Sequence, residues 1–144
     1  MRKPLEILLV EDSLTDRRLT EEGIRRTQIP VALHVVSQGQ DALSYLRNEG
    51  PFAQAPRPDL VLLDLNLPRV DGREALKDAK SDPKIANIPI VVFTTSESRA
   101  DIEKVYSIHA NSYVLKPADL QDYMKVIESI VRYWGETVAL PGLR

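Results

Sequence analysis

Side chains suited to metal binding or group transfer follow four of the apolar runs in this sequence. Glu11 and Asp12 come after the first run, and Asp64 stands at the end of the third. Residues 94–96 (Thr-Thr-Ser) follow the fourth run, and Lys116 follows the fifth. Crowded carboxylates resist ionisation unless a cation neutralises them, and Mg²⁺ prefers such oxygen ligands. If these positions meet in space, they supply a metal site, a carboxylate nucleophile, and a lysine and hydroxyl for phosphoryl oxygens.

Each of these residues, taken alone, also has a purely structural explanation. An acidic pair after a strand is often part of a helix-capping turn, and Asp64 lies near the turn-forming Pro68 and Gly72. The hydroxyls of residues 94–96 can cap a helix, and Lys116 before a proline can be solvated. Four such coincidences at four strand ends are less probable than one shared site, so a shared site is the better interpretation.

The elements that must position these side chains are predicted from apolar patterning. Continuous β-branched and leucine-rich runs are typical of strands in a parallel sheet that is covered on both faces. The predicted strands are 5–10, 31–36, 60–65, 88–93 and 113–115. Parallel strands joined by helices form a doubly wound α/β sheet, whose ligands collect at the carboxyl ends of the strands.

Polar stretches with helical spacing separate the predicted strands. The first helix is capped by Asp12 or Ser13 and carries Leu14, Leu19 and Ile24 as a sparse apolar stripe. The others span about 40–48, begin near Asp71, follow Ser98, and run from the cap Asp119 to about Trp134. The segment 48–58 is predicted to be a long loop, and the tail after Gly135 is predicted to add no further helix.

Composition excludes several classes of protein. The length of 144 residues suits one domain, and 43% hydrophobic with 28% charged residues is ordinary for a globular fold. The net charge of −2 argues against a nucleic-acid binder that works by phosphate neutralisation. With no cysteine there is no disulfide, thiolate ligand or thiol nucleophile. No run approaches the roughly 20 apolar residues of a membrane span, so we expect a cytoplasmic protein.

The order and spacing of these motifs resemble the receiver domains of bacterial response regulators, from the start of the chain to about Trp134. The matching segments are 8–12, 59–68, 70–72, 89–94 and 112–117. The resemblance implies a flavodoxin-like (βα)5 fold with strand order 2-1-3-4-5. It also implies a receiver domain over 1–135, followed by a tail over 136–144. Such a protein is a phosphoacceptor in signalling rather than a conventional enzyme.

The resemblance also assigns roles to residues. Asp64 is the implied phosphoacceptor. Asp12 is implied to bind Mg²⁺ directly, Glu11 through water, and Asn66 through its backbone carbonyl, with Asp64 as a further ligand.

Three further residues are implied to sense the phosphoryl group. Lys116 is expected to pair with Asp64 and then with the phosphoryl group, and Thr94 to hydrogen-bond a phosphoryl oxygen. Tyr113 is expected to move from an exposed to a buried rotamer and so to change the surface of the fourth helix, fifth strand and fifth helix.

A finer resemblance concerns the stand-alone regulators encoded with bacterial phytochromes. The loop 48–58, the run 64–73, the segments 94–96 and 110–113, and the tail all look like that group. This implies a sensor histidine kinase, specifically a phytochrome, as partner. Because about ten residues follow Trp134, output is expected through contact with, or phosphotransfer to, a downstream protein.

A homodimer is also expected, built on the fourth helix, the fifth strand, the fifth helix and the tail. The fifth helix carries Val126 and Tyr133 outside its main stripe, and the tail adds Val138, Leu140 and Leu143. Surplus apolar surface on a small domain often marks an interface. The alternative is that the tail folds back on its own domain.

Two other classes of function use the same architecture. A flavodoxin-like or phosphatase-like enzyme is disfavoured because Glu11-Asp12-Ser13 replaces a phosphate loop, and because no second aspartate lies two residues after the first-strand acid. A pseudo-receiver that only binds proteins is disfavoured by the intact set of acidic, hydroxyl and lysine residues.

Overall fold

A five-stranded parallel sheet forms the centre of the molecule. The computed structural model describes residues 3–141. The strands lie in the order β2-β1-β3-β4-β5 and every pair is parallel, which confirms the predicted doubly wound architecture and strand order. The strands are β1 (Leu5–Val10), β2 (Val31–Val36), β3 (Leu60–Leu63), β4 (Ile90–Thr94) and β5 (Ser112–Leu115).

One helix follows each of the five strands, and most of these helices begin at the residue that the sequence predicts. They are α1 (Leu14–Thr27), α2 (Gly39–Leu46), α3 (Gly72–Ser81), α4 (Arg99–Ser107) and α5 (Leu120–Arg132). Four of them have side-chain N-caps, in which a hydroxyl or carboxylate accepts from a first-turn N–H. These caps are Ser13, Asp71, Ser98 and Asp119.

The observed elements differ from prediction at several boundaries. β3 ends at Leu63 rather than at residue 65, and β4 begins at Ile90 rather than at residue 88. The predicted loop 48–58 contains one 3₁₀ turn, Gly50–Phe52, and Phe52 packs against the core. After α5 the chain continues as a π-helical turn, Tyr133–Thr137, so the tail is helical further than predicted.

The two faces of the sheet bury separate apolar cores, because successive strand residues point to opposite sides. Leu8 and Val10 face the core beneath α2, α3 and α4, together with Leu76 and Val105. The other core lies beneath α1 and α5 and is made by the alternate strand residues and by both helices. Its buried members include Leu5, Ile7, Leu9, Leu62, Phe93, Ile24, Tyr123, Ile127 and Val131.

The helices α1 and α5 cross closely at Gly23. A Cβ on Gly23 would lie 2.7 Å from Ile127 Cβ, so only glycine permits this approach. Val126, which the sequence placed outside the main apolar stripe of α5, is not among the buried residues of that helix, although its side chain packs partly buried against this core. Conversely, Leu14 and Leu120 were counted in apolar stripes but are each 59% exposed, because they begin their helices at the edge of the sheet.

The described part of the tail returns to its own domain. Leu140 and Trp134 pack against the core beneath α1 and α5. Tyr133 remains 51% exposed, as its position outside the stripe predicted. Leu143 lies outside the described residues.

The side chain of Tyr45 places a polar hydroxyl group in the apolar core. Its ring is buried between His34 and Phe52, and its hydroxyl has no hydrogen-bond partner among the described residues. Burial raises the pKa of Tyr45 to about 12. An unpaired buried polar group costs about 1–3 kcal/mol.

We therefore expect Tyr45→Phe to leave stability unchanged or to raise it by about 1 kcal/mol in urea unfolding. A loss of more than about 1 kcal/mol would show that the hydroxyl has a partner after all.

No helix between residues 3 and 141 combines the length and the apolar character needed to cross a bilayer.

Candidate functional site

Four adjacent strands deliver the predicted chemistry to one edge of the sheet. Because β1, β3, β4 and β5 are neighbours and parallel, their carboxyl ends lie side by side. Glu11 and Asp12 follow β1, and Asp64 follows β3. Thr94 is the last residue of β4, and Lys116 directly follows β5. The residues that sequence analysis selected are therefore brought together.

Three carboxylates form a compact acidic cluster. One oxygen from each of Glu11, Asp12 and Asp64 lies within 4.8 Å of the others. Glu11 and Asp64 are buried, whereas Asp12 is exposed and opens the cluster to solvent. The Ser13 N–H donates to Glu11 Oε2 at 3.2 Å, and the Asn66 N–H donates to Asp64 Oδ1 at 3.2 Å. The loops after β1 and β3 thus fix the orientation of both buried carboxylates.

The ammonium group of Lys116 lies among these carboxylates. Its Nζ donates to Glu11 Oε1 at 2.5 Å and to Asp64 Oδ2 at 3.2 Å, and the side chain is 3% exposed. The ammonium also lies over the Phe93 ring, with Nζ 5.8 Å from the ring centroid. A buried cation between two buried carboxylates balances charges that would otherwise be costly to hold away from water.

The titration of these groups reflects burial and pairing. Burial raises the pKa of Glu11 above its usual range, although the hydrogen bond from Lys116 acts in the opposite direction. Burial alone would lower the pKa of Lys116, but hydrogen bonds to Asp16 and Glu11 outweigh it and raise the pKa. The lysine therefore stays protonated and supplies a fixed positive charge at the site.

Thr94 places an unused hydroxyl beside the cluster. The residue is fully buried, and its Oγ1 has no hydrogen-bond partner among the described residues. Its backbone carbonyl accepts from the Lys116 N–H at 2.8 Å, which joins β4 to the segment that carries the lysine. Since buried hydroxyls are normally paired, this orphaned oxygen has hydrogen-bonding capacity that a polar ligand group could use.

Tyr113 is tied to the loop after β4. Its hydroxyl donates to the Ser96 carbonyl at 2.8 Å, and its ring packs against the core beneath α2, α3 and α4. Its own N–H donates to the Tyr106 hydroxyl at 3.1 Å. The half-buried ring thus links β5 and α4 to the loop that follows Thr94.

Sequence analysis missed Asp16, which touches the site directly. Its Oδ2 accepts from Lys116 Nζ at 2.8 Å. Asp16 lies in the first turn of α1, where its N–H donates to the capping Ser13 Oγ. An acid three residues after an N-cap serine has an ordinary capping explanation, so no local pattern specifically indicates this contact.

A second missed feature joins α3 to α4. The Arg73 guanidinium forms a bidentate pair with Asp101, at 2.7 Å and 2.6 Å, and also contacts Asp71. Ser96 Oγ donates to the same Asp101 carboxylate at 2.7 Å. The start of α3, the first turn of α4 and the loop after β4 are therefore connected at a single carboxylate.

This pair makes stability depend on pH. Hydrogen bonds from Arg73 and then from Ser96 lower the pKa of Asp101 to about 2. A lowered pKa contributes stability that is fully present above the ordinary value, about 4, and is lost as pH falls toward about 2. Partial solvent screening limits the contribution to about 1 kcal/mol.

We therefore expect Asp101→Asn to lose about 1 kcal/mol at pH 6. The difference from the native protein should shrink when urea unfolding is repeated at pH 4 and then at pH 3. Glu103→Gln, an exposed change on the same helix, is the control and should show no such trend. A constant difference at all three pH values would contradict the ion pair as its source.

The acidic cluster fits a hard divalent cation. Its donors are carboxylate oxygens, which such ions prefer, and the exposed Asp12 leaves an open side on which bound water can remain. The orphaned Thr94 hydroxyl lies at the end of β4, and the buried Lys116 ammonium reaches the cluster from the segment after β5. The arrangement provides carboxylate ligands for a metal, a nucleophilic carboxylate and a buried ammonium for phosphoryl oxygens, with a further unpaired hydroxyl at the adjacent strand end.

Comparison with known proteins identifies relatives over nearly the whole chain. Residues 7–128 match the model of the response regulator receiver domain. Response regulator Rcp1 of Synechocystis sp. is 43% identical over 139 residues, which cover 96% of this chain and 95% of that protein.

Two solved structures of response regulators are similar to this chain in both sequence and fold. The phosphorylated cyanobacterial phytochrome response regulator RcpA is 43% identical, with a TM-score of 0.94 over 97% of this chain and 100% of the other. The Mn²⁺-bound form of Rcp1 is 42% identical, with a TM-score of 0.92 over 96% of this chain and 100% of the other.

Proposed function

Because the chain belongs to the response regulator receiver domain family, we propose that it accepts a phosphoryl group from a sensor histidine kinase onto Asp64. The observation that carries the proposal is the position of Asp64. Its carboxylate belongs to one cluster with two further acids, and a buried ammonium donates to it.

The transfer forms one bond and breaks one. An Asp64 carboxylate oxygen attacks phosphorus, the P–N bond of the kinase phosphohistidine breaks, and the imidazole keeps the electron pair and takes up a proton. The product is an acyl phosphate, which water later hydrolyses to restore Asp64 and release inorganic phosphate. The protein is thus a phosphoacceptor in signalling and not a conventional enzyme.

Each neighbouring residue has a distinct part in this proposal. The Lys116 N–H that faces the Asp64 carboxylate donates instead to a phosphoryl oxygen, and the free Thr94 hydroxyl donates to another. Tyr113, already bonded to the Ser96 carbonyl, transmits the resulting movement of the loop to α4 and β5. The protein then signals to its partner through the changed surface of α4, β5 and α5.

A divalent metal belongs to the acidic cluster, and we propose Mg²⁺. Asp12 and Asp64 would hold it directly, Glu11 would act through water, and the Asn66 carbonyl would complete the protein ligands. When bound there, the ion would neutralise charge on the incoming phosphoryl group. The Mn²⁺-bound form of Rcp1 supports a divalent ion in this setting.

For the partner we propose a phytochrome histidine kinase in the cytoplasm. The support is the similarity to RcpA, a cyanobacterial phytochrome response regulator. A downstream protein would then receive the signal by contact or by phosphotransfer. Light absorption belongs to the partner in this scheme.

We also propose a homodimer through α4, β5 and α5, with the tail at its margin. Exposed apolar side chains on these elements support it, because such surface is costly to leave in water. They are Tyr106, Leu115, Leu120 and Tyr133. Analytical ultracentrifugation with and without beryllofluoride tests it, and a monomer in both states at high concentration would refute it.

Intact-mass spectrometry tests the phosphoacceptor function. Incubation with acetyl phosphate and Mg²⁺ should add one phosphoryl group, and the adduct should be absent without Mg²⁺ or in Asp64→Asn. Asp59→Asn, a change to an aspartate at the opposite end of β3, is the matched control and should still be labelled. A folded native protein that gains no adduct would instead be a pseudo-receiver, which signals by binding alone.

A further inference from the structure

Asp16 makes a contact at the site that the roles proposed above do not use. Its carboxylate lies 2.8 Å from Lys116 Nζ. We propose that Asp16 is a positioning residue, which orients the Lys116 ammonium so that one N–H points at the phosphoryl group on Asp64. The proposal rests on the phosphoacceptor function of Asp64.

The hydrogen-bond count at Lys116 supports this role. An ammonium group has three N–H donors. Here they meet three carboxylates, on Glu11 at 2.5 Å, Asp16 at 2.8 Å and Asp64 at 3.2 Å. With an acceptor for every donor, rotation about the Cε–Nζ bond is fixed. The contacts with Glu11 and Asp16 anchor the ammonium group, so the third N–H is directed at Asp64.

The contact to Asp64 is the longest of the three and is the one that the reaction changes. When an Asp64 oxygen becomes bonded to phosphorus, the N–H that faced this carboxylate faces the phosphoryl oxygens instead. Glu11 and Asp16 keep the other two N–H groups throughout. Without Asp16, one N–H loses its acceptor and the ammonium can rotate or move toward solvent.

The surroundings of Asp16 hold it firmly in place. Ser13 Oγ accepts from its N–H at 3.2 Å, and the buried Tyr123 donates to its backbone carbonyl at 3.3 Å. Its side chain is 27% exposed, whereas that of Lys116 is 3% exposed. Asp16 therefore lies between the ammonium group and solvent. Because its own side chain is partly exposed, Asp16 can be replaced without changing the packing of the core.

A purely structural role predicts a different outcome. An acid in the first turn of a helix stabilises that helix through its dipole. Asp122 has the same position in α5, since its N–H donates to the capping Asp119 at 3.0 Å. Asp122 is exposed, so Asp122→Ala is a matched control for the loss of a first-turn acid.

The first measurement is the rate of adduct formation from acetyl phosphate at saturating Mg²⁺, followed by intact mass. We expect Asp16→Ala to be at least fivefold slower than the native protein. Asp16→Asn retains an acceptor oxygen and should stay within twofold, and Asp122→Ala should be unchanged. Equal slowing in Asp16→Ala and Asp16→Asn would show that charge rather than orientation matters and would overturn the proposal, as would no slowing in either.

A second measurement needs neither metal nor phosphoryl donor. Acylation of Lys116 by an amine-reactive reagent, mapped by peptide mass spectrometry, reports how firmly the ammonium is held. It should be at least threefold faster in Asp16→Ala than in the native protein, faster in Asp16→Ala than in Asp16→Asn, and unchanged in Asp122→Ala. Unchanged acylation in Asp16→Ala would refute the anchoring. If the native protein forms no adduct, the phosphoacceptor function fails, whereas this measurement still decides whether Asp16 holds Lys116.

Discussion

Replacing Lys116 with methionine should destabilise the metal-free protein by about 3 kcal/mol, because removing one partner of a buried ion pair leaves the other charge uncompensated. Methionine has nearly the length of lysine and keeps the apolar stem. The side chains of Glu11 and Asp64, 2% and 9% exposed, would lose their cation while remaining away from water.

The same substitution should strengthen metal binding while it weakens phosphorylation. An ammonium beside the acidic cluster repels a second cation, so its removal should tighten Mg²⁺ at least tenfold in titration calorimetry. At saturating Mg²⁺ the rate of adduct formation should nevertheless fall by about a hundredfold, since no lysine N–H meets the phosphoryl group.

Lys80→Met is the control for this prediction. The Lys80 ammonium donates to the backbone carbonyls of Ala86 and Ile88, remote from the acidic cluster. Its loss should lower stability in urea unfolding without changing Mg²⁺ affinity. Unchanged Mg²⁺ affinity in Lys116→Met would contradict the electrostatic competition between lysine and metal.

Gly72→Ala should be among the most damaging single-methyl changes in the chain. A Cβ at Gly72 would lie 2.4 Å from the Asp64 carbonyl oxygen and 2.7 Å from Leu65 Cα. Both are backbone atoms, so no side-chain rotation relieves the overlap, and either α3 or the loop after β3 must move. Overpacking of this kind costs about 3 kcal/mol. Because the displaced loop carries Asp64, the folded fraction should also be phosphorylated more than tenfold more slowly.

Substitutions at two other glycines serve as controls, because they separate the loss of stability from the loss of phosphorylation. At Gly135 the nearest atoms to an added Cβ are side-chain carbons at 3.5 Å, so Gly135→Ala should change stability by less than about 0.5 kcal/mol. Gly23→Ala meets Ile127 and should lower stability while leaving the phosphorylation of folded protein unchanged. A loss below 1 kcal/mol in Gly72→Ala would show that the loop yields easily.

Local signals explain what could be predicted from the sequence. The caps Ser13, Asp71, Ser98 and Asp119 are recognisable because each polar residue precedes its helix and satisfies a neighbouring N–H. The strands are recognisable as continuous apolar runs. The gathering of residues at one sheet edge follows from parallel topology alone.

Long-range side-chain contacts explain what could not be predicted. Asp16 and Lys116 are 100 residues apart, and Arg73 and Asp101 are 28 apart. Whether such pairs meet depends on the rotamers of long side chains and on the spacing between helices, neither of which leaves a local pattern. The burial of Val126 likewise depends on how closely α5 approaches the sheet.

The position of Lys116, directly after β5, has a consequence for biosynthesis. Glu11 and Lys116 are separated by 105 residues, and α5 must still pack onto α1 after β5 is in place. A nascent chain on the ribosome therefore carries Asp64 long before the ammonium that balances it has emerged. Only a chain that has been synthesised through β5 can form the complete cluster, so a copy that stops before β5 would hold Glu11 and Asp64 without the ammonium that balances them.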